Sequence, residues 1–406
     1  DRSPSRGLGD VYKRQASDNV FSFAIATASP KGGTLEQMLA NTTNCYKYVW
    51  MLALLRIASE NKREFVSFKE MTARMVAAAW YPVIYFRLNL GYSDQLAELI
   101  YAVREECHLP DDSSYDDIVA AVMGIQNPDV EKKIRMMTRY VPQRFIAAVF
   151  NDQYAEYRKE FGKSFESKKD NLTRDLSQKA MNAGRTPYVI SKDGIQLTPE
   201  WTRYFIENNP IITECTYFKL TQFLQQKNPS VPAISEKLIQ PTSRNSLDFS
   251  RAKDYWRSAI ERDGDVYDIY TLRHFTKDAL ESLGPMSVDH FVPWKFVLHD
   301  QIWNLVPTFR SPNSSKNDNL PDTAYLDDFC SVQFIGLTAN RETQHFRKVI
   351  ESYRDVIPNA EQFVATLENK EAFSEKLKNA ILPLLLQAKN QGFTDWTNTY
   401  LSLIHI

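Results

Sequence analysis

Pro229, Pro232 and Pro241 fall within one short stretch, Lys227 to Thr242. A proline lacks a backbone N–H and has a fixed φ, so neither a continuous helix nor a central strand runs through such a stretch. It predicts an extended linker at 228–242, dividing the chain into a part over 16–227 and a part over 243–400. Helical spacing dominates the first part. Asn44 to Ile57 is strongly apolar and aromatic, as a core helix requires. Ser67-Phe68-Lys69-Glu70 is a capping box opening a helix through Met71, Met75, Val76 and Ala79, which Pro82 should kink or stop. Ser93-Asp94 caps a helix carrying Leu96, Leu99, Ile100 and Val103. The rings of Trp80, Tyr81, Tyr85 and Phe86 read as core, with stacking on bases as the alternative. Tyr188–Ile190 and Ile195–Leu197 form a short hairpin through Lys192-Asp193-Gly194. Thr198-Pro199-Glu200 then has the order of an N-cap, a first-turn proline and an acid. Beyond the linker, Leu247 to Ile260 is again helical and ends before Asp263-Gly264.

The two ends of the chain read differently. Asp10 to Gln15 can be encoded by GATGTGTATAAGAGACAG and Leu401 to Ile406 by CTGTCTCTTATACACATC, which are reverse complements. Both resemble a transposon end used as a sequencing adapter, so 1–15 and 401–406 are expected to be adapter read-through. Setting them aside removes four basic and two acidic residues from 49 and 50, leaving 45 and 48 and a formal charge of −3. Near-neutral charge means that any nucleic-acid contact must come from a local basic surface. Lys132 to Arg144 and Arg158 to Lys179 are such surfaces, read either as solvated helix faces or as phosphate contacts.

No apolar run spans a bilayer, and Val20–Ala28 is short for a signal peptide. The expectation is no membrane and a cytoplasmic location. Cys45, Cys107, Cys215 and Cys330 have no metal-ligand spacing, so no structural zinc is expected, and they read as reduced thiols.

The chemistry-bearing residues lie between 285 and 322. Ser287-Val288-Asp289-His290-Phe291-Val292-Pro293-Trp294 is followed by Trp303-Asn304-Leu305-Val306-Pro307 and by Asn313-Ser314-Ser315-Lys316. Phosphodiester hydrolysis needs a base for water and neutralisation of charge on the phosphate. Neighbouring strand residues point to opposite faces, so His290 can serve as base while Asp289 offers a hard oxygen to magnesium or manganese.

This stretch resembles the HNH, or ββα-metal, nuclease family, and within it most resembles the HNH domain of RNA-guided type II CRISPR effectors. The resemblance covers 285–322, through the Asn-x-x-Lys-x-Asp-x-x-Pro string ending at Pro321. It implies His290 as general base, Asp289 and Asn313 as ligands of one divalent ion (Mg2+ or Mn2+), and Asn304 bracing the histidine loop. Lys316 matches a basic position near the phosphate, and Arg310 is a further phosphate-binding candidate beside a solvated-loop reading. The implied fold is a strand at 286–292, a connection through Phe296–Asp300, a strand at 303–308 and a helix beginning near Asn313, whose amides would favour phosphate. His299 matches nothing in the pattern and reads as an exposed loop residue.

Outside the motif, Asn41-Thr42-Thr43-Asn44-x-Tyr46-Lys47, Ala79-Trp80-Tyr81-Pro82 and Asn228-Pro229-Ser230-Val231-Pro232 resemble bacterial proteins with a C-terminal HNH domain. No arginine-rich bridge and no RuvC-like motif is present, so guide RNA is not implied. The expected fold class is mainly α with a C-terminal α+β part: a helical N-terminal module plus a ββα-metal nuclease domain. The expected function is a metal-dependent DNA endonuclease, suited to restriction or phage defence, whose helical module recognises DNA or a regulatory partner. A non-catalytic nucleic-acid-binding module and an RNA nuclease are the alternatives.

Overall fold

A computed structural model describes residues 30–40, 42–60, 64–181, 184–241 and 246–400. The expected adapter segments, 1–15 and 401–406, and the stretch Val20–Ala28 lie outside the described residues. The chain divides into two compact units. One runs to Pro229 and includes Lys237–Gln240, and the other comprises Ser230–Glu236 and the chain from Pro241 onward. The protein is mainly α with a C-terminal α+β part.

The first unit is built around the helix Tyr46–Glu60, buried continuously from Tyr48 to Leu55 and again at Ile57 and Ala58. A helix apolar on all sides needs neighbours on all sides. Phe68–Trp80, Pro199–Glu207 and Asn209–Lys227 supply them. Ser67 caps its helix as expected, its hydroxyl accepting from the Glu70 amide, and Asp94 caps Gln95–Cys107. Pro82 neither stops nor breaks the helix: residues Tyr81–Tyr85 widen into a π turn closed by the Phe86 amide on the Tyr81 carbonyl at 2.9 Å. The wider register absorbs the missing proline N–H. Trp80, Tyr81 and Phe86 are buried, and the Trp80 indole donates to the Asp111 carbonyl at 3.0 Å. The series is core, not a stacking platform.

Tyr188–Ile190 pairs antiparallel with Gly194–Leu197, forming the expected hairpin, and Phe65–Ser67 adds a third strand on the other edge of Gly194–Leu197. Gly194 is required there, because a Cβ would lie 2.2 Å from the Val66 carbonyl oxygen. Thr198 stands at the N-cap position of Pro199–Glu207, but its hydroxyl donates to the Thr186 carbonyl at 2.8 Å and makes no cap. The proline and the Glu200 acid occupy the first turn, without a side-chain cap.

The proline-rich stretch is not extended throughout. Ile234–Leu238 forms a 3-10 turn, and Val231, Ile234, Lys237 and Leu238 are buried. A single tight turn fits between Pro232 and Pro241 where a longer helix would not.

In the second unit, helices Ser246–Arg262 and Leu326–Ala339 pack on an antiparallel pair of strands, Met286–His290 and Leu305–Phe309, and Lys370–Asn390 packs on Leu326–Ala339. Gly336 lets two helices meet closely, since a Cβ there would lie 2.5 Å from the Trp256 ring. Gln333 ties this shell to the second strand. Its buried amide donates to the Ile302 and Leu305 carbonyls at 3.1 and 2.7 Å, and its oxygen accepts from Tyr353 at 2.6 Å. The four cysteines are free thiols, with Cys45 and Cys330 buried. No helix among the described residues is long and apolar enough to cross a membrane.

Candidate active site

The strand register runs from Met286 opposite Phe309 to His290 opposite Leu305. Arg310 extends the pairing with its amide on the Pro285 carbonyl at 3.0 Å, and the chain turns directly into the helix Arg310–Lys316. This helix begins three residues earlier than expected. Asn313 therefore lies inside it, and no amide cradle starts at Asn313. One turn separates Asn313 from Lys316, and both reach the first strand. Asn313 Nδ2 donates to Ser287 Oγ at 2.8 Å and to the Val288 carbonyl at 3.3 Å.

Asn304, fully buried, holds the chain just past His290. Its Oδ1 accepts from the Val292 amide at 2.8 Å, its Nδ2 donates to the Val292 carbonyl at 2.9 Å, and its own carbonyl accepts from Phe291 at 2.8 Å. Three bonds from one residue fix the backbone where the strand ends.

Asp289 and His290 alternate across the strand, and each has a partner. Asp289 Oδ2 accepts from the Tyr270 phenol at 2.6 Å and lies 2.9 Å from Lys316 Nζ. The same ammonium is 3.2 Å from Asp289 Oδ1 and donates to the His290 carbonyl at 2.8 Å. Lys316 is wholly buried, so it faces Asp289 and not solvent. Burial, reinforced by the Asp289 charge, pushes the Tyr270 phenol well above its usual range, which keeps it a donor. Behind it, Asp268 is buried and pushed up to about 6, first by desolvation and then, among smaller influences, by the Asp289 charge.

On the other face, His290 Nε2 lies 2.7 Å from Asp300 Oδ1, with both side chains mostly buried. The Phe249 ring lies nearly parallel to the imidazole, at 6.1 Å between centroids. His299 is not an exposed loop residue. It is half-buried, its ring 5.1 Å from that of Trp303, and desolvation followed by the nearby His290 charge lowers it to about 4. It is neutral near pH 7.

The structure thus gathers Asp289, His290, Asn304, Asn313 and Lys316 along the strand Met286–His290 and the residues just past it. Arg310 is exposed at the start of the helix and makes none of these contacts. Among the described residues, no cluster of three or more His, Cys, Asp or Glu side chains could hold a metal ion. The donors that do converge are hard oxygens, the Asp289 carboxylate and the His290 carbonyl, and the cation they hold in this geometry is the Lys316 ammonium. That donor chemistry fits magnesium or manganese.

Sequence reasoning missed Tyr270, Asp268 and Asp300. Asp268 lies on the strand Tyr267–Asp268, paired with Arg273–His274, and Tyr270 lies in the turn between them, all preceding the motif. Asp300 adjoins His299 in the connection between the two strands.

Residues 268–322 match the family model described as HNH endonuclease. The match begins upstream of the motif and takes in Asp268 and Tyr270. No curated protein and no solved structure matches the chain.

Proposed function

From the HNH endonuclease domain carried by residues 268–322, we propose that this protein is a metal-dependent endonuclease hydrolysing phosphodiester bonds in DNA, with His290 as general base. The observation that supports this most is the 2.7 Å contact between His290 Nε2 and Asp300 Oδ1. An ionised carboxylate only accepts, so the neutral imidazole donates from Nε2 and accepts at Nδ1. In that tautomer Nδ1 takes a proton from water as its oxygen attacks phosphorus and the P–O bond to the leaving strand breaks. Asn304 and Asp300 hold the imidazole still from the backbone side and the ring side.

Asp289 and Asn313 would hold one Mg2+ or Mn2+, which supplies charge neutralisation at the phosphate and a more acidic bound water. Lys316 holds the Asp289 carboxylate beside the His290 carbonyl, bonding to both. Arg310, exposed on the same helix, would meet a phosphate from solvent. As a biological role we propose restriction or defence against phage, by analogy of architecture.

One observation favours a non-catalytic binding role instead: the Lys316 ammonium already satisfies the Asp289 oxygens in a nearly closed site. A nicking assay on supercoiled DNA separates the readings. Cleavage with Mn2+ or Mg2+, lost with EDTA and lost in His290→Ala, supports the nuclease. Intact DNA with folded wild-type protein under all metal conditions supports the binding module. Cleavage of RNA alone would correct the substrate.

A further inference from the structure

The basic segments of the helical unit split into two kinds. Lys133, Arg135 and Arg158 face carboxylates, with Glu98, Glu131 and Glu166 at 3.6, 3.4 and 3.7 Å. Surface pairs of this sort are solvated and contribute little beyond local neutrality. Arg144 and Lys169 are held differently. Arg144 lies over the Tyr140 ring at 4.7 Å, and Lys169 lies over the Tyr154 ring at 5.4 Å. A ring face positions a cation without cancelling its charge. Both open onto a single groove of about 1210 Å³, whose lining also includes Lys47 and Lys227.

Lys47 belongs to the Asn44-x-Tyr46-Lys47 string that no catalytic role absorbs. Its ammonium donates to the Ala40 carbonyl at 3.1 Å, and it is lowered first by burial and then by the Lys169 charge. Two ammoniums that disfavour one another mark a place where an anion would be welcome. Three acids share the groove, and two are committed elsewhere. Asp94 caps the helix Gln95–Cys107, Glu166 faces Arg158, and Asp170 remains as the local counter-charge. Tyr92, fully exposed, offers ring surface at the same groove, where the Tyr140 ring already carries Arg139 and Arg144. A small-molecule pocket typically encloses roughly 300–1,000 Å³, so this groove has room for more than one nucleotide.

We propose that this groove of the helical unit binds a single nucleic-acid strand, its phosphates seated by Lys47, Lys169 and Arg144 and a base stacked on Tyr92. Charged tracks combined with aromatic rings are what sequence-tolerant strand binding uses. The site is separate from the His290 chemistry, so its test needs no cleavage.

The test is fluorescence anisotropy with the full chain, EDTA and a fluorescein-labelled single-stranded oligodeoxyribonucleotide. Lys169→Glu should weaken binding about tenfold or more and lower the slope of log Kd against log salt. Arg144→Gln, a milder change, should weaken it several-fold, and Lys132→Glu, outside the groove, should not. Melting curves check that each variant is folded. Wild-type affinity in folded Lys169→Glu and Arg144→Gln would overturn the proposal. Displacement of the strand by a mononucleotide of equal affinity would overturn the strand and leave a free nucleotide as the ligand. His290→Ala should bind as wild type does, which keeps this result independent of the nuclease reading.

Discussion

His290 Nε2 and Asp300 Oδ1 stand 2.7 Å apart, the carboxylate arriving ten residues after the histidine across a looped connection. Leu298, in the left-handed region at φ 56°, turns the chain after the short helix Trp294–Val297 and returns Asp300 to the strand end. A carboxylate in this position selects one imidazole tautomer and stabilises the imidazolium that forms.

Asp300→Asn should therefore cost activity without unfolding the protein. An amide can donate its own hydrogen to Nε2 and stabilise the wrong tautomer. His290→Ala, which removes the base, should lower the single-turnover rate about 10²–10⁴-fold. Asp300→Asn should fall in the same range, with metal affinity by calorimetry unchanged. A wild-type rate in folded Asp300→Asn would leave the pair without a positioning role.

Asp289→Ala should abolish cleavage, reduce Mn2+ affinity and also destabilise the fold. The last effect follows from Lys316, whose buried ammonium would lose its carboxylate. Removing one partner of a buried pair costs about 3–5 kcal/mol. Asp289→Ala combined with Lys316→Met should recover much of that loss while remaining inactive and weak for Mn2+. Thermal melting and calorimetry on both variants separate the two contributions. A double variant no more stable than the single one would argue against the buried pair.

Asn304→Ala should act through the backbone. It leaves the Val292 amide and carbonyl, both now bonded to the Asn304 side chain, without those partners. An unsatisfied buried polar group costs about 1–3 kcal/mol, so a drop of several degrees in Tm is expected along with reduced cleavage. Asn304→Asp tests the geometry more finely, because a carboxylate can accept from the amide but cannot donate to the carbonyl. It should fall between wild type and alanine in neither assay, losing as much as alanine or more through its buried charge.

Much of the site was legible because its spacing is local. Asp289 and His290 are neighbours on one strand, Asn313 and Lys316 share one turn of helix, and Asn304 ends the 3-10 turn directly before the second strand, so each position follows from its near neighbours. Asp300 was not legible, since its approach depends on the turn at Leu298 and not on a repeat. Tyr270 was missed for a similar reason, because it reaches Asp289 from a separate loop. Among the fold elements, the capping residues Ser67 and Asp94 were readable from adjacent residues. The strand Phe65–Ser67 was not, because three residues carry little alternation and their partner lies far along the chain. Lys316 shows the limit of a matched pattern, which gives a residue's position but not the direction its charge faces.

Asp268 gives the structure a pH signature distinct from catalysis. Its carboxyl is pushed up to about 6 from an ordinary value of 3.8, chiefly by burial. The folded state thus binds this proton more tightly than the unfolded chain does. Below both values each state is protonated and folding carries no penalty. As pH rises through the window from about 4 to about 6, the unfolded chain ionises first, and stability is lost until the folded carboxyl also ionises. Asp268→Asn cannot ionise and escapes that loss. The stability of the variant relative to wild type should therefore rise between acid and neutral pH, by on the order of 3 kcal/mol. Denaturant titrations of both proteins at each end of the window measure this difference directly. A difference that stays constant with pH would mean that Asp268 is not the buried, desolvated acid behind Tyr270 and Asp289.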